Sequence, residues 1–262
     1  MSQAKGFYNQ RYSVEEGYAV KVDDLAPYHT EVLNILKELD VDKGDKVVVD
    51  AGCGRGIFGE KIASIINVDL SKQAVVSLKS KKSVVGDLCA LPIKKGSVEI
   101  LISVTALEHI PNPEFALMEF DRVLKKGGMA ILRPAYFCRW WGNLKLGKKP
   151  FNRLNVREKL MWIRMKIEEL RPLFLMKWLL QRFYREIERL FSTEPTNLRY
   201  YKLIPNYEYD EWWEADADAS SCFDAHEILW WFKSRNYEII LSNNLFNRLS
   251  IDAAVITAKK AD

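Results

Sequence analysis

The stretch VVVDAGCGRGIFG, residues 47–59, gathers the residue types that handle a nucleotide. Three β-branched residues run into Asp50, and glycines follow at Gly52, Gly54, Gly56 and Gly59. A strand giving way to a glycine turn and then a helix lets backbone approach a nucleotide closely. Two chemistries compete for this loop. Residues 54–59 read formally as G-x-G-x-x-G, the dinucleotide fingerprint, which wants the strand to end just before the first glycine and an acid about 20 residues on. Here three residues separate the strand from Gly54, and Asp69 follows only 15 later. In the other reading the strand ends on Asp50 and the turn begins at Gly52. Asp69 then closes a second strand, where its carboxylate can accept both hydroxyls of a ribose.

Such residues need a scaffold, and residues 46–133 supply one. Short β-rich runs alternate with helical stretches, the pattern of a parallel sheet covered by helices. Strands are expected at 46–50, 65–69, 83–86, 98–104 and 129–133. The helix before the fifth has Asn112 as a cap, Pro113 in its first turn and Gly127 to close it. From 135 to about 222 the rhythm breaks and the chain reads as mostly helical. One helix starts at Asn155 with Glu158 three residues on, and carries Leu160, Ile163, Ile167 and Leu170. The next restarts at Pro172, and its Leu173, Met176, Leu180, Phe183, Ile187 and Leu190 follow at steps of 3, 4, 3, 4 and 3. Asp224 with Glu227 caps a tryptophan-rich helix ending near Ser234, and strands at 237–242 and 251–258 close the chain. The fold expected is α/β: a Rossmann-like, seven-stranded, mostly parallel sheet flanked by helices, with a helical insertion after strand five acting as a lid. Residues 1–134 plus 223–262 form the core, and 135–222 the lid over a substrate.

Composition narrows the class. The chain has 262 residues, 48% hydrophobic and 28% charged, ordinary for a globular protein with a real core. Its first residues lack the apolar run of a signal peptide, and no stretch approaches a membrane span. Cys53, Cys89, Cys138 and Cys222 are scattered without a C-x-x-C pair. No disulfide framework or metal site is expected, and a reducing cytoplasm is the default. The net charge of +4 hides an asymmetry: residues 139–202 hold 16 Lys and Arg against 6 Glu, whereas 208–218 hold six acids and no base. Segregated charge marks a region with its own task.

Beyond the loop, several motifs occur in order: VVVDAGCGRG, NVDLS, VVGDLCALPIKKGSVEILIS and LEHIPNPEFALMEFDRVLKKGGMAIL. Together they resemble class I S-adenosylmethionine-dependent methyltransferases, most closely the type 11 subgroup. The resemblance covers roughly residues 30–134 and, more loosely, 223–258. It implies S-adenosylmethionine as cofactor. Gly52, Gly54 and Gly56 would then form the turn near its methionine portion and ribose, with Asp50 anchoring the loop or meeting the ammonium through water. Asp69 would bind the ribose hydroxyls, Leu70 would pack on adenine, Asp87 would accept from the adenine amine, and Leu88 would offer its backbone amide. Ser103 and the adjoining backbone would lie near the sulfonium. Only 12 residues separate Gly56 from Asp69, so the first core helix should be clipped by about a turn.

The transfer itself asks the protein to align nucleophile and methyl and to exclude water. A carboxyl acceptor needs no base; for a hydroxyl, His109 and Glu108 are the candidates after strand four. The Leu-Glu-His-Ile stretch recurs in the family across many acceptors, so a structural role for His109 stands beside the catalytic one. His226 lies in a helix start and is not expected to act, and His29 should pack or face solvent. Phe7, Tyr8, Arg11 and Tyr12 could cover the cofactor. Residues 103–106 read Ser-Val-Thr-Ala, without the Asn/Asp-Pro-Pro-aromatic stretch of enzymes that methylate base amines.

Three readings fit the insert. It could pack its own apolar stripe on the core with Arg and Lys solvated. It could meet an anionic, saccharide or lipid-linked acceptor, with Lys177, Arg182, Arg185 and Arg189 at a membrane surface. Or it could bind RNA. The acidic, aromatic residues 207–214 could line an acceptor pocket or pair with the basic helices. O-methylation of a small-molecule, saccharide or lipid-linked acceptor is the function expected; an RNA methyltransferase or an inactive cofactor-binding regulator of the same fold are the alternatives.

Overall fold

Strands β1 (Val48–Ala51), β2 (Ile65–Asp69), β3 (Ser83–Val85), β4 (Val98–Val104) and β5 (Leu124–Arg133) run parallel. In the computed structural model, which describes residues 2–13, 25–41, 46–62, 64–78, 82–191, 194–240, 249 and 255–262, they form one sheet with two later strands, β8 (Tyr237–Ile239) and β9 (Ile256–Lys260). The order is β3-β2-β1-β4-β5-β9-β8, and β9 runs antiparallel to both neighbours. This is the expected seven-stranded, mostly parallel sheet. The strand residues expected at 241–242 and 251–254 lie outside the described residues.

Because β1 lies between β2 and β4, all four of its residues are buried, which is why the run reads as continuously apolar up to Asp50. Both faces are covered. On one, α5 (Pro113–Val123) and α8 (Ala225–Lys233) pack Leu117, Phe120, Ile228, Leu229, Trp231 and Phe232 against the sheet. On the other, α2 (Pro27–Glu38) brings Val32 and Leu36, and α3 (Ile57–Lys61) brings Phe58. Each large side chain buried this way contributes roughly 1.5–3 kcal/mol. The helix α3 has only five residues, the clipped element anticipated from the spacing.

Two local details differ from the sequence reading. The helix α5 ends at Val123 and β5 starts at once, pairing Leu124 with Val98 before the register slips and resumes at Met129. Gly127, with φ of 70°, sits in that irregular stretch and does not close the helix. Asn112 makes no side-chain cap bond, although Pro113 does open the helix.

The segment between β5 and α8 is helical only in its first part. Here α6 (Val156–Glu168) starts on the reciprocal Asn155–Glu158 capping bonds, and α7 (Arg171–Leu190) follows. Residues 194–222 return largely extended, with a two-residue ladder between β6 (Tyr201–Lys202) and β7 (Ser221–Cys222). The stripe on α7 faces outward, against the first of the three readings of the insert, in which it packs on the core: Leu180 is 63% exposed, Phe183 51% and Leu190 80%. Its polar side is what packs. Arg182 donates to both carboxylate oxygens of Asp224 at 2.6 and 2.7 Å, and Arg185 reaches Glu227 at 3.0 Å. These buried ion pairs override the hydrophobic pattern, since an unpaired buried charge costs more than an exposed leucine. Arg182 and Arg185 therefore fasten the helix to α8 and cannot meet a membrane.

Near the N-terminus, α1 (Ser2–Ser13) crosses from the core to the returning segment. Asn9 accepts from the hydroxyl of Ser71, the cap of α4 (Lys72–Ser77), at 2.9 Å, Tyr8 donates to Asp218 at 2.8 Å, and Phe7 stacks on Trp213.

Candidate active site

The carboxyl ends of β1, β2 and β4 surround a cleft that α1 divides into two cavities. This is where ligands gather in open α/β sheets, because helix starts and loops there expose backbone donors. One cavity, about 590 Å³, is lined by Asp69, Leu70, Asp87, Leu88, Ile110 and Phe115. The other, about 480 Å³, is lined by Asp50, Tyr28, Arg133, Trp213, Asp216 and Asp218. Tyr8, Tyr12, Gly52, Thr105 and His109 belong to both walls.

The glycine loop is held by hydrogen bonds to β2. Gly52 and Cys53 N–H groups donate to the Val68 carbonyl at 2.8 and 3.1 Å, and Gly54 N–H donates to Asp69 Oδ2 at 2.9 Å. Gly52 has φ of 84°, and a Cβ there would stand 2.5 Å from the Ala106 Cβ, so both backbone and space demand glycine. Gly56 serves packing instead: a Cβ there would meet Leu78, and Gly56 lines neither cavity.

Asp69 also accepts from the Ser71 N–H at 2.8 Å. Burial raises its pKa, while these backbone donors pull it down. Asp50 has no such relief. Burial, with Asp69 adding to it, pushes its carboxyl up to about 8. Asp87 accepts from the Cys89 N–H at 2.9 Å and lines the first cavity beside Leu88. Ser103 is the displaced expectation: its hydroxyl is buried and donates to the Ala51 carbonyl at 2.8 Å, and it lines neither cavity. Thr105 stands at the edge instead. Its φ of 47° is unusual for a β-branched residue and turns the chain off the sheet exactly where the two cavities meet.

Past Thr105, a short turn (Leu107–His109) carries the two candidate proton acceptors. His109 lines both cavities, with Nδ1 3.3 Å from Asp218 Oδ2 and Nε2 3.7 Å from Glu108 Oε1. Asp218 and Glu108 raise its pKa against the opposing effect of burial. Glu108 lies behind it, 0% exposed and outside both cavity walls, and burial pushes its carboxyl up to about 7. The returning segment is stitched to this turn: Ser220 N–H donates to the Glu108 carbonyl, and the Ser221 hydroxyl reaches the Leu107 carbonyl. That stitching delivers Tyr207, Tyr209, Trp213, Asp216 and Asp218 to the cleft. Of residues 207–214, the aromatic Tyr207, Tyr209 and Trp213 thus line the cavities while the acids do not, and Asp210 pairs with Lys145 at the surface.

Two histidines have structural roles. His29 Nδ1 accepts from the Ala26 N–H while its ring lines the second cavity, and His226 is buried between Glu186 and Trp230. Asp216, Asp218, Tyr28 and Arg133 were not legible as cavity residues. Only the uneven charge of residues 208–218 hinted at the first two.

Residues 49–132 match the family model described as a methyltransferase domain, type 11. Demethylmenaquinone methyltransferase of Staphylococcus aureus is 27% identical over 111 residues, covering 37% of this chain and 46% of the relative. The chain thus spans about half the length of the curated relatives it matches. Among solved structures, an S-adenosylmethionine-dependent methyltransferase from Aquifex aeolicus is 17% identical, covering 42% of this chain and 69% of its own, at a TM-score of 0.36. Another, from Thermotoga maritima, is 15% identical and covers 90% and 91%, at a TM-score of 0.40. Residues 49–132 are a class I methyltransferase domain of the type 11 subgroup, and its cofactor is S-adenosylmethionine.

Proposed function

We propose that this protein transfers a methyl group from S-adenosylmethionine to a hydroxyl or carboxyl oxygen of a small-molecule, saccharide or lipid-linked acceptor. The observation that carries the reading is the pair of cavities meeting at Gly52, Thr105 and His109. Both volumes fall in the range of small-ligand sites, roughly 300–1,000 Å³. The first cavity suits an adenosine. Asp69 keeps lone pairs for ribose hydroxyls beyond its two backbone bonds, Leu70 and Leu88 offer apolar faces, and Asp87 offers a carboxylate to an amine donor. Asp50 and the Gly52–Gly54 turn suit the amino-acid end. The cofactor supplies the electrophilic methyl, and the chain's own groups orient it and exclude water.

The second cavity takes the amino-acid end on its Asp50–Gly54 side and the acceptor on the side of Tyr209, Trp213, Asp216 and Asp218. Its tyrosine and tryptophan faces with carboxylates suit a polyhydroxylated ring, and Asp216 and Asp218 disfavour a nucleic-acid backbone. A hydroxyl's proton passes to His109, which Asp218 and Glu108 orient and make more basic. Residues 135–222 form the unit that covers the acceptor. The outward apolar face of α6 and α7, with Leu160, Ile163, Ile167, Leu180, Phe183 and Leu190 exposed beside Arg157, Lys159 and Lys166, supports contact with an anionic lipid surface. No described helix is long and apolar enough to cross a membrane. Incubation with methyl-labelled cofactor and host extract, split into lipid, saccharide, nucleic-acid and small-molecule fractions, tests the reading. Label in lipid, saccharide or small-molecule material supports it; label in RNA, or none despite cofactor binding, overturns it.

A further inference from the structure

No metal site is expected from the scattered cysteines, yet the fold assembles a set of donors for one at the base of the acceptor cavity. Donor atoms of Glu108, His109 and Asp216 all lie within 4.8 Å of one another. Two ligands across an ion at about 2.1–2.2 Å each stand about 4.3 Å apart, so small side-chain movements close this set. The His109 Nε2 to Glu108 Oε1 separation of 3.7 Å is too long for a hydrogen bond. For two ligands at about 2.1 Å it corresponds to an angle of roughly 120° at an ion.

Two independent observations point to a ligand. Glu108 is 0% exposed, and neither of its carboxylate oxygens meets a hydrogen-bond donor in good geometry. The amides of Ala135 and of Glu108 itself only lie near it. A buried carboxylate without donors is rare, because losing water without replacement is costly. Here one of the two oxygens, Oε1, lies 3.7 Å from His109 Nε2. Secondly, the other nitrogen of that ring, Nδ1, lies 3.3 Å from Asp218 Oδ2, which also accepts from the Tyr8 hydroxyl at 2.8 Å. Nδ1 makes no well-aligned hydrogen bond there, but a carboxylate behind one imidazole nitrogen with donor atoms before the other is the placement from which a metal-binding histidine is held. The charge agrees: three carboxylates surround one imidazole, and Arg133, which also acts on Asp216, has its guanidinium drawn over the Tyr28 ring at 4.3 Å.

We propose that Glu108, His109 and Asp216 bind one divalent cation at the base of the acceptor cavity, with Asp218 positioning the His109 ring. One imidazole with two carboxylates suits manganese, magnesium or zinc. The inference rests on the second cavity holding the acceptor, and it sharpens that reading. The acceptor is one that offers an oxygen to the ion, whose charge makes a bound hydroxyl more acidic. With its nitrogen on the ion, His109 then no longer takes the proton: the hydroxyl proton leaves to solvent, the oxygen lone pair forms the bond to the methyl carbon, and the carbon–sulfur bond breaks with its electrons on sulfur.

The test is titration of the full chain with Mn²⁺, followed by electron paramagnetic resonance and calorimetry and repeated with Zn²⁺. One saturable site is expected. Glu108→Gln and Asp216→Asn should abolish it, and Asp218→Asn should weaken it roughly 10- to 100-fold. Asp210→Asn, at the surface pair with Lys145, should leave it unchanged. Thermal melts without metal confirm that each variant folds; if Glu108→Gln does not, Asp216→Asn decides alone. Saturable binding of neither ion, or binding indifferent to both ligand changes, overturns the inference. S-adenosylhomocysteine binding, measured on the same samples, shows separately whether the methyltransferase reading stands.

Discussion

Replacing Asp224 by asparagine asks whether α7 is held by its buried ion pair. Arg182 Nε and Nη2 donate to the two Asp224 oxygens at 2.6 and 2.7 Å, with the residues 8% and 3% exposed. Asparagine keeps an oxygen for the His226 N–H that Asp224 caps, so the change isolates the charge. It strands a guanidinium whose remaining bond is to the Leu249 carbonyl. Breaking a buried pair from one side costs about 3–5 kcal/mol. Arg182→Met should cost a similar amount, by stranding the carboxylate. The double variant should lie much nearer the wild type, because it leaves neither a guanidinium nor a carboxylate buried without its partner. A double-mutant cycle by denaturant unfolding should therefore return a coupling of at least about 3 kcal/mol, well above that of the surface pair Lys145–Asp210. A coupling below about 0.5 kcal/mol would refute the reasoning that buried charge, and not the apolar stripe, docks this helix.

Further outcomes follow from the cleft. With its pKa near 8, Asp50 is largely protonated at pH 7 in the free protein; a ligand bearing an ammonium favours the carboxylate, so binding should release a proton. Calorimetry in buffers of different ionisation enthalpy reads that proton, and Asp50→Asn should abolish it. For stability the sign is opposite to that of a paired acid: the raised pKa favours folding below the unfolded value near 4, and that benefit is lost as pH rises toward 8. Asp50→Asn should thus gain relative stability at pH 9, read by thermal melts across pH. Gly52→Ala combines a φ of 84° with a 2.5 Å clash on Ala106; a loss of about 1–3 kcal/mol and weakened cofactor binding are expected, by denaturant titration and calorimetry. Finally, Leu180→Glu/Phe183→Glu should lower co-sedimentation with anionic vesicles while leaving S-adenosylhomocysteine binding intact.

The sheet was legible because its signals are local. Residues 46–51 announce a doubly buried strand, and Asp50, Gly52 and Asp69 stand at strand ends whose positions follow from the alternation of elements. Ser103 misled because a strand-end polar residue can point into a cleft or bond within the sheet, and spacing does not distinguish the two. The insert was the least legible part. A 3-4 period shows that α7 is two-faced without saying which face turns inward; that depends on Asp224 and Glu227, some 42 residues beyond their arginine partners. Distance in sequence hid the acceptor wall too, since Asp216 and Asp218 are brought to Glu108 and His109 by the bonds of Ser220 and Ser221 to the carbonyls of residues 107 and 108.

The central claim is that the loop of β1 and the acid ending β2 hold S-adenosylmethionine. Calorimetric titration of S-adenosylhomocysteine into the wild type and into Asp69→Ala tests it most directly. The account predicts a single site in the wild type and loss of binding in the variant, with both proteins folded. No binding to the wild type, or equal binding to both, would contradict it.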